Sequence, residues 1–338
     1  MKLKNLLLAV LVFIGSFTTF AQSNLLNAKT PEDIGKKTAA QLESDNDKPL
    51  PYGYVHDRDV LMGKMIWENI DLDERVNFPL YFPVDTNDVA KDRRSLFHVL
   101  LNGIKSGKIT EVYDDDYFNR KKTLADLTGN LRYVKVMEPL GTEFINNDKK
   151  NLYNLLITYR EGEFNKTKKP GDVFVMPKID DLISEDYAPV ISHEYYEEYL
   201  VAPKDISGFK IKGFWYFDKR QSEMKYRLLA ICPFVSEAKD KATGGTTDPV
   251  PLFWVYYPAV RDILHEAKSF NDKNTAMPIS FDHLLNSRRF SGNIYKEENV
   301  YGDREIEKYM KDNALNQLLE SERVKEKIRN FESDMWNY

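Results

Sequence analysis

Cysteine is nearly absent from this sequence of 338 residues. The single cysteine, Cys232, cannot form an internal disulfide, so no disulfide framework stabilises the fold. It lies in an apolar run, LLAICPF, with no neighbouring base in the sequence to activate it. This pattern predicts a buried, unreactive thiol.

Catalytic motifs are also missing. There is no G-x-S-x-G, no P-loop and no G-x-G-x-x-G, and 16 glycines are few for phosphate-binding loops. SHEYYEEY has Glu197, and LHEAKSF has Ser269, where a zinc-protease helix needs its second histidine. The sequence therefore predicts no catalytic residue, no cofactor and no metal site.

The chain has no excess of basic residues. It contains 53 acidic and 48 basic side chains, for a formal charge of -5, which argues against a nucleic-acid partner. The acidic stretch YDDDYF, residues 113–118, is interpreted as a solvated loop. Arg288 and Arg289 follow a predicted helix and are interpreted as favourable neighbours of its C-terminal dipole.

No apolar run after the N-terminus is long enough to span a membrane. The N-terminus, MKLKNLLLAVLVFIGSFTTFAQ, has two lysines, a short apolar run and small residues before Gln22, as is typical of a secretory signal peptide at 1–21. A membrane anchor is the alternative, although the run is short for one. Cleavage would remove two lysines and no acid, changing the charge from -5 to -7. No cysteine stands immediately after the cleavage site, so we expect an exported protein that is not itself a lipoprotein.

Residues 22–53 contain few large apolar side chains and several prolines. They predict an extended N-terminal arm without a core of its own. Fixing the backbone of such a segment costs about 1 to 2 kcal/mol per residue, so we expect the arm to become ordered only by covering another surface. Deleting it should leave the remaining chain folded.

The remaining residues, 54–338, predict a single α+β domain in which an antiparallel sheet packs with several helices. Met62, Ile66 and Ile70 recur every four residues and predict a helix over 59–70. The following NFPLYFP is expected to be extended because of its two prolines.

Two further helical regions are well marked. An apolar stripe predicts a helix at 92–106, with Asp92 as its cap and Gly107 just after its end. The C-terminus predicts helix from Asp303 onward, with a break near Ser321.

Three aromatic and β-branched runs predict the sheet: FKIKGFWYF, EMKYRLLAIC and PLFWVYYP, the last two separated by a mobile loop near 236–250. Side chains alternate along a strand, so Trp215 and Phe217 share one face, and Phe214 and Tyr216 share the other. Because both faces are aromatic, the sequence favours a sheet that is covered on both sides.

With catalytic motifs excluded, long stretches of the chain resemble the GldN/PorN family, a periplasmic component of the type IX secretion and gliding motility machinery. The segments that carry the resemblance cover most of the mature chain: QSNLLNAKTP, HDRDVLMGKMIWENIDLDERVNFPLYFP, DRRSLFHVLLNGIKSGKITEVY, IKGFWYFDKRQSEMKYRLLAICP, YYPAVRDILHEAKSFN, SFDHLLNSRRFSGNIYKEENVYGDREI and LLESERVKEKIRNFESDMWNY.

The resemblance implies a non-enzymatic ring subunit. In the family that this chain resembles, the subunits assemble with a GldK/PorK lipoprotein into a ring at the periplasmic side of the outer membrane. The ring is thought to contact the motor protein GldM/PorM. Association with the membrane would then be indirect, through the lipoprotein, without insertion of this chain. The resemblance implies no particular site residue.

A second hypothesis is a periplasmic carbohydrate-binding protein or hydrolase. Its aromatic platform would be the strands at 209–217 and 252–257. An open aromatic face on the sheet would favour this hypothesis, and a covered one would disfavour it.

Partner binding is expected in the arm and its anchor, residues 22–83. Tyr and Arg are enriched at protein interfaces because they combine large contact area with directed hydrogen bonds. The candidate partner-binding residues are therefore Tyr52, Tyr54, Arg58 and Arg75. The alternative is that this stretch packs on its own core and solvates its charges.

Overall fold

The computed structural model describes residues 48–85, 93–123, 126–127, 131–167, 174–235, 249–271, 279–311 and 313–336. The predicted signal peptide, most of the predicted arm and nearly all of the loop near 236–250 lie outside these residues. The strands are β1 (Val60–Asp71), β2 (Arg132–Val136), β3 (Tyr196–Leu200), β4 (Ile206–Asp218), β5 (Glu223–Val235), β6 (Val250–Pro251), β7 (Val255–Tyr256), β8 (Lys268–Ser269), β9 (Ile279–Ser280) and β10 (Asn293–Glu297). The helices are α1 (Phe78–Tyr81), α2 (Leu96–Lys105), α3 (Leu140–Asn147), α4 (Lys149–Thr167), α5 (Tyr257–Glu266), α6 (Phe281–Asn286), α7 (Ile306–Tyr309) and α8 (Ala314–Trp336).

The main sheet is antiparallel, with strand order β10-β1-β4-β5-β6, and β7 also pairs with β5. Its centre is the long hairpin of β4 and β5, which turns between Asp218 and Glu223. Gly213 is required in β4 because the Tyr226 ring of β5 lies across it, only 2.2 Å from where a Cβ would stand. The predicted α+β class, with an antiparallel sheet, several helices and a helical C-terminus, is confirmed.

The prediction of a helix at 59–70 is wrong, because residues 60–70 lie in strand β1, an interior strand of the main sheet. A spacing of four residues fits one face of a helix, but it also fits the two-residue period of a strand. Met62, Ile66 and Ile70 therefore share one face of the sheet. Trp67 on the opposite face is also buried, so the strand lacks the alternation of buried and exposed residues that would have marked it.

Two smaller features also differ from the sequence-based predictions. NFPLYFP contains the single helical turn α1 in place of an extended piece. Helix α2 begins after Ser95, whose hydroxyl accepts the His98 amide, and the proposed cap, Asp92, lies outside the described residues. Gly107 has φ +71° just beyond this helix, as its place in the sequence predicted.

One face of the sheet carries the largest hydrophobic core. Helices α2, α5 and α6 cover it with buried side chains that include Leu100, Leu264 and Phe281, which belong to the same core as Phe209 and Ile231 of the sheet. Helix α8 covers the same face at the edge formed by β10, where Val324 and Ile328 pack with Ile66 and Ile294.

Helix α8 is continuous through Ser321, so the predicted break near that residue is wrong. The Ser321 side chain is buried and its hydroxyl accepts the Ile294 amide at 2.9 Å. A buried serine mid-helix therefore bonds to the neighbouring strand instead of ending the helix. The interruption lies earlier, between α7 and α8.

The opposite face is covered by the loop at 111–123 and by Trp254. Trp67, Ala230 and Cys232 are buried there, so the predicted burial of the thiol is confirmed. Burial raises the pKa of the Cys232 thiol to about 12, which keeps it protonated.

The aromatic residues of β4 divide between the two faces as predicted. Trp215 packs against the cluster that contains α8 residues, and the Phe217 ring meets Phe331 edge to face at 6.0 Å. The rings of Phe214 and Tyr216 stack on the other face. In the run 252–257, Tyr256 alone is exposed. Neither run forms an open aromatic platform, which disfavours the carbohydrate-binding hypothesis.

Residues between β2 and β3 form a separate hydrophobic cluster beside the main sheet. The cluster contains Ile145, Leu156 and Tyr187 and is built from the β2–β3 pair, α3, α4 and short 3-10 turns. The extent of the predicted single domain, 54–338, stays a prediction. No helix among the described residues combines the length and apolarity needed to cross a membrane.

Candidate partner-binding surface

The N-terminal strap, residues 51–55, lies beside the outer edge of β5. The Arg227 and Arg220 guanidinium groups donate hydrogen bonds to the carbonyls of Gly53 and Tyr54, at 2.9 and 3.1 Å. Strands β6 and β7 pair with β5 only at residues 230–235. In the part of the chain that the structure describes, the strap therefore borders the stretch of β5 that has no outer strand partner. It limits access to an edge that is prone to pairing with other chains.

Tyr52 fixes the strap to the body. Its ring lies between two guanidinium groups, with the Cζ of Arg261 4.2 Å and that of Arg227 4.7 Å from the ring centroid. Its hydroxyl donates to Oδ1 of Asn286 at 2.8 Å. Burial raises the pKa of Tyr52 to about 12, so the hydroxyl stays a donor at neutral pH. Such cation–π contacts stabilise most strongly when the groups are shielded from water.

Arg227, Arg261 and Asn286 together form the socket of Tyr52. A buried hydrogen-bond network holds two of these side chains in place. The Arg261 guanidinium donates two bonds to the Asp282 carboxylate, at 2.9 and 3.0 Å, and the Tyr257 hydroxyl donates a third at 2.9 Å. The Asn286 amide donates to both Asp282 and Tyr257. These hydrogen bonds fix the orientation of Arg261 and Asn286 and leave Asp282 fully engaged, so the network is suited to holding a chain segment.

A cavity of about 280 Å³ remains between the strap and β5. Asp218 on its wall is buried and accepts the Arg220 amide at 3.0 Å, and the side chains of Arg220 and Lys225 lie 3.5 and 3.4 Å from its carboxylate. Each of these charges faces an opposite charge within the chain. The Asp218 carboxylate is therefore held by cations of its own chain.

The four residues predicted to bind a partner do not form one surface. Tyr52 is half-buried in its socket, whereas Tyr54 is 74% exposed and meets the His56 ring edge to face. Arg58 is exposed in the turn before β1. Arg75 is exposed beyond the other end of β1, a strand of 12 residues that spans about 40 Å.

The residues of the socket could not be found from the sequence. Arg227, Arg261 and Asn286 come from β5, α5 and α6, and nothing in the local sequence links them to Tyr52. The one sequence signal for the socket would be an arginine, Arg261, on the buried face of α5. Recognising it requires knowing in advance which face of the helix is buried.

Arg288 also has a different role from the predicted one. It donates to both carboxylate oxygens of Glu68 at 2.8 Å, and the interpretation as a partner of the helix dipole is therefore corrected. Its guanidinium lies over the rings of Trp215, Tyr226 and Phe290. Burial raises the pKa of the Glu68 carboxyl, and Arg288 acts in the opposite direction. The backbone of Arg288 has φ +51°, which turns the chain after α6.

The acidic loop at 113–118 is not simply solvated. Asp116 lies 2.9 Å from the Lys296 ammonium, and its backbone carbonyl accepts Lys212 at 2.8 Å. Both buried lysines lie over the rings of Trp67 and Tyr117. Burial lowers the pKa of Lys212, and Asp116 opposes that effect. The loop therefore holds cations from its own chain.

Among the described residues, no group of three or more His, Cys, Asp or Glu side chains is arranged to hold a metal ion. We predict that the mature protein needs no metal for folding. Metal analysis of chelator-washed protein is expected to find no stoichiometric transition metal, with unchanged melting. One tightly held zinc per chain, with lower stability after its removal, would be the contrary result.

Comparison with family models identifies the chain's family. A family model described as gliding motility associated protein GldN matches residues 55–337, from the strap to the end of α8. A search of the curated proteins found no match.

Proposed function

Because the chain belongs to the gliding motility associated GldN family, we propose that it is a non-enzymatic structural subunit of a periplasmic ring in the type IX secretion and gliding motility apparatus. The family match over 55–337 carries this proposal. The match spans almost all of the residues that the structure describes.

The chemistry of the buried polar groups supports a structural role. The three buried carboxylates on which the described networks centre, Glu68, Asp218 and Asp282, each face a cation of the same chain. Such pairs specify geometry, and they leave these carboxylates without the free side needed to act on a substrate.

We propose two partners for this subunit. One is a GldK/PorK-like lipoprotein, which would hold the ring at the periplasmic face of the outer membrane. The other is the periplasmic part of a GldM/PorM-like motor protein. Tyr54 at the exposed end of the strap, Arg58 in the turn that follows it and the arm that precedes it are proposed to contribute to these contacts.

Affinity purification from detergent-solubilised envelopes tests this proposal. We expect the tagged, exported chain to bring down the lipoprotein and the motor protein in a fixed ratio, as measured by quantitative mass spectrometry. The matched control is the same chain without residues 1–21, which should stay in the cytoplasm and retain neither partner. Recovery of the exported chain alone would contradict the proposal.

A further inference from the structure

A second concave surface lies between helices α2 and α5, far in sequence from the strap. This α2–α5 groove has a volume of about 560 Å³, and Val99, Gly103 and Ile263 contribute its apolar lining. Gly103 allows α2 to pack closely against the Ile109 side chain, because a Cβ at position 103 would lie 2.8 Å from Cδ1 of Ile109. Val99 and Ile263 are both half-buried, so each retains apolar surface that another molecule can cover.

The groove has a basic rim. Arg94 and Lys108 contribute to its wall, and Lys105 is exposed on the last turn of α2. One acidic side chain, Glu266 on α5, is part of the wall, and it lies 3.3 Å from the Lys108 ammonium. Both members of that pair are largely exposed, and such pairs contribute little to stability, so a competing carboxylate can displace Glu266.

The local charge is opposite to that of the whole chain, which carries a formal charge of -5. His98 lies on the groove wall. Burial lowers the pKa of His98, and the positive charges of Arg94 and Lys105 lower it further. A positive, concave surface on an acidic protein is complementary to an acidic ligand.

We propose that the α2–α5 groove binds an acidic, amphipathic segment of a partner protein. Apolar side chains of the segment would cover Val99 and Ile263, and its carboxylates would pair with Lys105, Lys108 and Arg94. Helix α2 has 10 residues and is about 15 Å long, which matches two to three turns of a bound helix. A slot with apolar lining and charge at its rim suits such a segment better than a lipid surface, which requires a broad basic face.

The inference rests on the proposed function, because it takes the segment from one of the two proposed partners. Labelled 20-residue peptides that tile the periplasmic parts of both partners are the probes, and fluorescence anisotropy with the mature chain is the measurement. We expect the binding peptides to be rich in Asp and Glu. The K105E/K108E variant should bind them at least tenfold more weakly, and replacing their Glu by Lys should restore binding to that variant.

Matched controls distinguish the effect of charge in the groove from the effect of the net charge of the protein. The K150E/K327E variant changes the net charge by the same amount at exposed lysines outside the groove lining, and it should bind the peptides like the wild type. Asn102→Trp places a bulky ring at an exposed position of the groove wall and should block binding without reversing any charge. Unchanged melting temperatures would show that all three variants are folded.

The contrary outcomes are distinct. Equal peptide binding by wild type and K105E/K108E overturns the groove assignment. If no peptide binds while the complete partners still do, the groove is refuted and the proposed function stands. If the complete partners also fail to bind, both proposals fail. Binding to phosphatidylglycerol vesicles that is lost in K105E/K108E, without peptide binding, would show a membrane contact instead.

Discussion

Replacing Arg288 by methionine is expected to lower the free energy of unfolding by roughly 3 kcal/mol, because it leaves the buried carboxylate of Glu68 without its cation. The value lies at the lower end of the range for such pairs, since a quarter of the Arg288 side chain is exposed and the carboxyl can take up a proton. Urea denaturation followed by circular dichroism measures the change.

The chain offers a matched control at the next residue. Arg289 is exposed, and Arg289→Met should change the free energy of unfolding by no more than about 0.5 kcal/mol. The double variant E68M/R288M should recover most of the lost stability, because apolar residues often replace a buried ion pair without net cost. Equal effects of R288M and R289M would show that the Glu68–Arg288 pair is not a structural element.

Deleting residues 22–47 is expected to leave the melting temperature unchanged, whereas deleting residues 22–53 should lower it. The second deletion also removes Tyr52, with its hydrogen bond to Asn286 and its contacts with Arg227 and Arg261. Loss of a half-buried tyrosine and its hydrogen bond costs about 2 kcal/mol. The sequence led us to expect that all of residues 22–53 are dispensable for folding. The structure restricts that expectation to residues 22–47.

Point variants separate the socket from the arm. Tyr52→Ala should reproduce the loss of stability, and Tyr54→Ala, at a position that is 74% exposed, should be close to neutral. Capture of the lipoprotein should fall with both deletions but persist with Tyr52→Ala. If the 22–47 deletion leaves capture unchanged, the interface lies elsewhere and the C-terminal helix α8 becomes the better candidate.

The sequence predicted the elements whose signals are local. The β4–β5 hairpin follows from two aromatic and β-branched runs around a polar turn, and the end of α2 follows from Gly107. Strand β1 was not predicted, because this interior strand has buried side chains on both faces and its four-residue spacing fits a helix equally well.

The candidate site was less predictable than the fold, for a physical reason. The sequence marked Tyr52 as a residue of a type that is enriched at interfaces. Its contacts with residues 227, 261 and 286 were not predictable, because they depend on how the helices pack on the sheet. Arg288 reaches Glu68 across 220 positions of sequence, from a backbone with positive φ. Contacts of this kind are properties of the tertiary fold and leave no periodic pattern in one sequence.

We propose that this chain is a building block of a larger assembly. Mass photometry of the mature chain, co-purified with the GldK/PorK-like lipoprotein, tests it most directly. We expect one large species that contains many copies of both chains in a fixed ratio, and separate small species when the lipoprotein is omitted. A chain that stays at the mass of a single copy with the lipoprotein present would contradict it.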